Sequence, residues 1–317
     1  MIDLKNKNVL VTGGTGMIGS QLIPLLHQEG CNITCVSIDS PVEVNFDVNF
    51  KEVDLCFFQN CLDVTEDIDI VFHLAGIKGS PQRCRKHPAS MLVPMLQFNT
   101  NILEASRINN VEWIMYTSSY GVYKPDSLYK EDDLWVKHIP FTSHDFYGGW
   151  SKRIGELQLL AYSKEYNFNN FSIIRPANVY GPYDFSKEKS MVVSSFITKC
   201  LENPVLEVMG DGSQIRDFIF SRDVARGMLY AVKHEINEPL NMGCGEGVVI
   251  KDLAKIISNY FGKDIVYDTS ITETGEPVRI MDMTRAYSYG YKPEVSFEQG
   301  LNETIKWFEG EYCGRDI

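Results

Sequence analysis

The segment TGGTGMIG, with glycines at 13, 16 and 19, narrows most what this 317-residue chain can become. It follows a short apolar run, Asn8 to Thr12 (NVLVT), and opens an amphipathic stretch from Met17 to Gln28. Gly13 lets the chain turn sharply, Gly16 lets the backbone approach a ligand, and Gly19 lets the helix pack close to the strand. The N–H groups at the helix start then face an anion, for which a pyrophosphate is the natural fit. A tight turn without a ligand is the plain alternative, and the strand–loop–helix context argues against it.

The rest of the first half repeats this alternation. Strands are expected at Asn32 to Ile38, Phe57 to Leu62 (the weakest), Ile68 to Leu74, Glu112 to Ser118 and Phe171 to Arg175. Helices are expected at Met91 to Arg107 and Trp150 to Tyr166. Continuous apolar strands alternating with helices imply a parallel sheet covered on both faces. The expected class is α/β: a Rossmann, doubly wound parallel sheet with a smaller C-terminal substrate-binding domain. The pieces of the second half are helices at Ser190 to Glu202, Asp223 to His234, Lys251 to Phe261 and about Glu298 to Phe308, with a short strand at Asp217 to Phe220. The division expected is 1–176 with a return segment at about 217–242, against 177–216 with 243–317. Ligands of such folds lie in the crevice beyond the strand ends.

A net charge of −12 argues against a nucleic-acid partner, because phosphodiester backbones need a basic face. It leaves room for a small anionic ligand held by a few arginines and helix N-termini. The first residues show no basic segment followed by an apolar run, and no stretch is long enough to span a bilayer, so a cytoplasmic protein without a membrane partner is expected. The eight cysteines show no CxxC pair and no Cys/His metal spacing; reduced thiols and no metal are expected.

About 20 residues past the glycine loop an acidic side chain should meet the adenosine ribose. Asp39 fits, although Ser37 stands more strictly at the strand end, and a loop-starting role before Pro41 is the alternative. Between the loop and Lys51 there is no Arg or Lys to answer a 2′-phosphate, which favours NAD over NADP. Asp63, in NCLDVTE, is the candidate for an adenine contact, with a helix N-cap as the other reading.

Together these features resemble the extended short-chain dehydrogenase/reductase family, in its nucleotide-sugar-modifying branch, over nearly the whole chain. The carriers are TGGTGMIG, HLAGIKG (73–79), TSSYGVY (117–123), RPANVYGP (175–182) and GDGSQIRDFIFSRDVA (210–225). The resemblance implies NAD held by Gly13, Thr15, Gly16, Met17, Ile18, Gly19, Asp39, Asp63, Leu74, Ala75, Gly76 and Lys152. It implies a nucleotide-sugar site with Asn178 on the diphosphate, and with Arg216 and Arg279 gripping it through bidentate guanidinium groups. The stretch YGPYDFSKEKSMVVSSFITK looks more like the GDP-sugar branch than the UDP-galactose branch. A homodimer through the two long helices is the family expectation.

The chemistry implied is hydride transfer at a sugar carbinol, usually C4, with Ser119, Tyr147 and Lys152 as the catalytic set. In this family a tyrosine, ordinarily titrating at about 10, is brought near 7 by a lysine four residues later and by the cationic nicotinamide. Here DFYGGWSKR puts Tyr147 five residues before Lys152, with Gly148 in the expected place. Either the two glycines absorb the extra residue, or another group serves as base. Tyr120 and Gly121 replace the acidic pair of the 4,6-dehydratases, and Gly121 and Met191 replace the Cys and His of 3,5-epimerising enzymes. Tyr120 is expected to shape the sugar pocket. What remains is a C4 dehydrogenase or 4-keto reductase, with a GDP-manno-heptose-like sugar of surface (capsular) polysaccharide as a plausible substrate. A 4-epimerase with tightly bound NAD is the alternative, and a non-catalytic NAD-binding module a further one.

Overall fold

The computed structural model describes residues 1–39, 48–79, 81–124, 126–135, 146–184, 191–271 and 276–312. Its main sheet is built from β1 (Asn8–Thr12), β2 (Asn32–Ser37), β3 (Asn49–Glu52), β4 (Ile70–His73), β5 (Trp113–Thr117), a strand at Phe171–Pro176 and one at Leu240–Met242. A two-residue strand, β6 (Leu128–Tyr129), lies outside it, so the last two are β7 and, further along, β12. The order across the sheet is β12-β7-β5-β4-β1-β2-β3, and every pairing is parallel. The order reverses at β1, which pairs with both β2 and β4, and the ends of those strands make the topological switch point.

Helices α1 (Gly19–Gln28), α2 (Phe58–Thr65), α3 (Pro81–Lys86), α4 (Pro88–Ile108) and α5 (Phe146–Tyr166) connect these strands. One apolar cluster joins α1 to one face of the sheet through Leu22, Ile23, Leu26, Val9 and Val11. A second joins α2, α4 and α5 to the other face through Cys61, Ile102, Leu103, Leu159 and Ile114. Burial on both faces explains why β1, β4, β5 and β7 read as unbroken apolar runs.

The third strand differs from expectation. Phe57 to Leu62 does not form a strand; α2 runs from Phe58 to Thr65 and buries Cys61, Val64 and Thr65. That spacing of three and four is a helical stripe. The real edge strand is β3, NFKE, whose side chains are mostly exposed, so it carries no apolar run to read.

The remaining elements are β8 (Asn178–Tyr180), α6 (Val192–Glu202), β9 (Val205–Met209), β10 (Ile215–Arg216), β11 (Phe218–Phe220), α7 (Ser221–Lys233), β12, β13 (Val248–Val249), α8 (Ile250–Phe261), β14 (Asp264–Asp268), β15 (Val278–Met281), α9 (Thr284–Ser288) and α10 (Phe297–Tyr312). Helix α7 returns to the main sheet, placing Val224, Met228 and Val232 in the α1-side cluster, and leads into β12. A third apolar cluster, with Phe196, Ile197, Leu253, Ile257 and Leu301, gives the C-terminal lobe its own core. Tyr183, Asp184 and Trp307 of this lobe line one crevice with Gly13, Leu74 and Thr117 at the ends of β1, β4 and β5.

Candidate functional site

A crevice of about 1140 Å³ runs along the C-terminal ends of the strands, from the glycine loop to the C-terminal lobe. Its floor at one end is Gly13, Thr15, Gly16, Met17, Ile18 and Gly19. Gly13 has φ +68°, and a Cβ there would come within 2.9 Å of Ala75 Cα, so only glycine lets the loop lie against the segment after β4. Gly19 is as constrained, since its Cβ would lie 2.6 Å from Gly14 O. The backbone thus forms an open cradle that side chains do not fill, with α1 beginning directly at it. A dinucleotide pyrophosphate fits this cradle in size and donor chemistry.

Past β2, Ser37 and Asp39 both line the crevice. The Ser37 hydroxyl is hydrogen-bonded to that of Thr15 (2.8 Å) and accepts the Asp39 N–H (3.3 Å), while Asp39 itself is exposed. Asp63 is not brought to the crevice. It sits exposed on α2 and accepts a hydrogen bond from Gln59 Nε2 at 2.8 Å. The acidic residue that follows the third strand and lines the crevice is Asp54, which accepts the Cys56 N–H at 2.9 Å. Misplacing β3 by eight residues in the sequence reading displaced this candidate with it.

Leu74, Ala75 and Gly76 line the middle of the crevice beside Lys152. Behind them lies a buried chain that the sequence reading missed. His73 Nδ1 is 2.7 Å from Thr12 Oγ1 and its Nε2 is 2.8 Å from Asn99 Oδ1. Burial, aided by the Lys152 charge, lowers the His73 pKa to about 3, so the ring is neutral. The Asn99 carbonyl oxygen only accepts, which puts the proton on Nε2 and leaves Nδ1 to accept the Thr12 hydroxyl. Thr12 Oγ1 in turn accepts the Ala75 N–H at 3.2 Å. The Ala75 carbonyl takes a hydrogen bond from Lys152 Nζ at 3.3 Å. This relay fixes the peptide that positions the lysine.

Lys152 is 6% exposed and its Nζ lies 5.3 Å over the Tyr116 ring. Among the described residues no carboxylate pairs with it, and burial lowers its pKa to about 7. Ser119 lines the crevice in the segment after β5. Its Oγ accepts the Gly121 N–H at 3.1 Å, which leaves the hydroxyl hydrogen to be donated into the crevice.

Tyr147 does not line the crevice. Helix α5 is already regular from Phe146, so the extra glycine is not absorbed. At 3.6 residues per turn, a residue four before Lys152 shares its face, while one five before is turned well away. The crevice wall from α5 is accordingly Gly148, Gly149 and Lys152. The Tyr147 ring instead packs edge-on against Phe146, with centroids 5.2 Å apart.

Tyr120 lines the crevice, and the Arg279 guanidinium stacks 4.3 Å above its ring. Arg216 and Arg279 are register partners on β10 and β15, both buried, directly behind Tyr120. Burial first, and then the Arg279 charge, lower the Arg216 pKa. Glu276 pairs with Arg279. Asn178 does not line the crevice. Its Nδ2 donates to Asp217 O at 2.8 Å and so ties β8 to β11. Across the crevice mouth, Lys78 of the first lobe forms an ion pair with buried Asp184 of the second, which also accepts the Ser194 hydroxyl.

Known proteins share this architecture. A GDP-L-fucose synthase from Sinorhizobium fredii is 28% identical over 314 residues, covering 96% of this chain and 96% of that protein. A UDP-glucose 4-epimerase from Thermotoga maritima, solved with UDP-glucose, superposes with a TM-score of 0.83 at 27% identity over 96% of this chain and 99% of that one. MoeE5, solved with UDP-glucose and NAD, gives a TM-score of 0.83 at 25% identity, with 96% and 99% covered. The family model described as NAD dependent epimerase/dehydratase family matches residues 9–243, and to that family this chain belongs.

Proposed function

We propose that this protein is an NAD-dependent oxidoreductase acting at C4 of a nucleotide-linked sugar. One observation carries the reading: a single crevice joins the glycine cradle to Ser119, Lys152 and Tyr120, and beside Tyr120 two buried arginines stand side by side. Two guanidinium groups side by side, Arg279 already paired with Glu276, give this end of the site a positive charge that suits a diphosphate and its nucleoside. Family membership supports the enzyme assignment and the cofactor, as does the NAD of MoeE5.

In this reading Gly13 to Gly19 hold the pyrophosphate, Asp39 the ribose and Asp54 the adenine edge. Leu74, Ala75 and Gly76 wall the nicotinamide end. Bound NAD supplies the hydride acceptor. Ser119 donates its hydroxyl to the substrate C4 oxygen, and Lys152 sits beside the same atom. Arg216 and Arg279 leave Glu276 and the Tyr120 ring to grip the diphosphate. The cofactor lobe is 1–176 with 217–242, and the sugar-nucleotide lobe is 177–216 with 243–317.

For the base we favour guanine, on the stretch 180–199, part of which lies outside the described residues, and on the Sinorhizobium relative. A manno-heptose-like GDP-sugar of cytoplasmic surface-polysaccharide synthesis belongs to this reading by analogy only. A 4-epimerase that runs both half-reactions on one bound NAD is the second reading, favoured by the likeness to the Thermotoga enzyme. Helices α4 and α5 pack on each other and expose Val93, Ile108, Ile154 and Leu160, the face we assign to a homodimer.

The test is incubation with GDP-, UDP- and dTDP-sugars and their 4-keto forms, with NAD or NADP, following cofactor absorbance and product stereochemistry. Turnover of a GDP-sugar with net change in cofactor is the expected result. A C4-inverted product without net change selects the epimerase. No conversion of any nucleotide sugar by NAD-loaded protein overturns the reading.

A further inference from the structure

We propose that the Lys152 amine itself exchanges the proton with the substrate C4 hydroxyl, in the place where the short-chain dehydrogenase/reductase arrangement has a tyrosine and this chain has Gly148. The inference rests on the functional reading above and deepens it.

Among the described residues, the positions that flank the Lys152 amine on its crevice side are glycines. One turn before Lys152, on the same helix face, stands Gly148; a Cβ there would meet only Met91 Sδ, at 3.4 Å. On the other side stands Gly76, whose Cβ position lies 3.8 Å from Lys152 Nζ. Both glycines line the crevice, so neither wall covers the amine with a side chain. The tyrosines that do line the crevice are committed elsewhere. Tyr120 lies under Arg279, and Tyr183 packs on Trp307 of α10 at 5.2 Å. Tyr147 is turned onto Phe146.

The groups around the amine let it work as a base. From β4 it faces neutral His73, and from β5 the Tyr116 ring, whose phenol burial holds well above its ordinary value and whose hydroxyl donates to Lys152 O at 3.0 Å. From the turn after β5 come the hydroxyls of Ser118 and Ser119, and from α4 Met91 and Met95. On its own helix, Glu156 is bonded to Arg175 and Arg153 donates to the Val122 carbonyl. Lys78 is answered by Asp184. No anion in this set holds the proton on Nζ, and burial brings its titration to about 7. A group poised there serves equally as base and acid at neutral pH.

In the oxidation the neutral Lys152 amine takes the proton of the C4 hydroxyl, and the O–H pair becomes the second C–O bond. With NAD bound, the C4–H pair would leave as hydride to the oxidised nicotinamide. The ammonium so formed returns its proton to water. In the reduction of a 4-keto sugar the same ammonium gives its proton to the carbonyl oxygen, for which bound reduced NAD would supply the hydride.

The first experiment needs no substrate: 15N-lysine NMR of the intact protein, with the Lys152 signal assigned by Lys152→Arg. A midpoint between about 6 and 8 is expected for a desolvated amine, and one near the ordinary value of about 10.4 overturns the proposal. Kinetics follow on the sugar identified by the substrate panel. Tyr147→Phe should keep kcat within about twofold, whereas Lys152→Arg should lose about 100-fold or more while still binding NAD. Gly148→Tyr, which restores a phenol one turn before the lysine, should move the pH midpoint of kcat/KM. A 100-fold loss in Tyr147→Phe, or a pH profile that Gly148→Tyr leaves unmoved, also overturns it. A wild-type protein inert toward every nucleotide sugar overturns the functional reading instead, and the NMR midpoint still decides this one.

Discussion

At the scale of single residues the site depends on protons kept off buried nitrogens. His73 is the sharpest case, held neutral between Thr12 and Asn99. An unfolded histidine takes up its proton near 6.5, but the folded one only near 3. The unfolded state therefore binds more protons between those values. Its stabilising contribution is present above pH 6.5 and is lost as the pH falls toward 3, at about 1.4 kcal/mol per pH unit. Urea unfolding from pH 7 to pH 5 should show that slope, and His73→Gln should flatten it. Equal slopes in the two proteins would remove His73 from the acid sensitivity. The sequence presented this histidine within HLAGIKG, but not its partners, which come from β1 and α4. Lys152 was expected from the resemblance of DFYGGWSKR, a local pattern, and it lines the crevice. The partner of the Asn178 amide was not legible, because its hydrogen bond to Asp217 O depends on β8 and β11 lying side by side.

At the scale of elements the position of α5 against β5 decides where the lysine stands. Gly155 is the point of closest approach: a Cβ there would lie 2.2 Å from Tyr116 Oη. That hydroxyl donates to the Lys152 carbonyl, so pushing α5 outward breaks the bond that seats the lysine. Gly155→Ala is expected to cost about 1–3 kcal/mol, as overpacking does, and to lower kcat as well. A variant with unchanged unfolding midpoint and unchanged kcat would show that the helix has slack. The phase of α5 also decides where Tyr147 stands, outside the crevice lining. Counting residues gives the separation of Tyr147 and Lys152, but which of two neighbours faces the crevice follows from where helical geometry begins. The sheet strands were legible because burial on both faces leaves an apolar run, and β3 was not because an edge strand has no such run.

At the scale of the whole molecule the two lobes are stitched around one carboxylate. Asp217 Oδ1 accepts the Cys244 N–H (2.8 Å), and its Oδ2 accepts those of Gly245 (3.0 Å) and Met281 (3.2 Å). Its own backbone joins Arg279 and Asn178. One side chain thus ties the strand before α7, the loop after β12 and the strand that carries Arg279. Burial raises its pKa to about 6, against the pull of those three N–H groups. Asp217→Ala leaves three buried donors unmet, at about 1–3 kcal/mol each, so a loss of more than about 3 kcal/mol in urea unfolding is expected. A loss under about 1 kcal/mol would mean that the stitching lies elsewhere.

The sequence alone determined what is written in short windows: the glycine turn between strand and helix, and the strand–helix alternation that makes a parallel sheet. Each rests on local conformation or on burial that marks consecutive residues. Tertiary structure decided what depends on rotation and on distant neighbours. It set Gly148 rather than Tyr147 toward the crevice, Asp54 rather than Asp63 at its rim, and His73 between Thr12 and Asn99. A side chain's direction is a property of how elements dock, and no count of residues along the chain contains that angle.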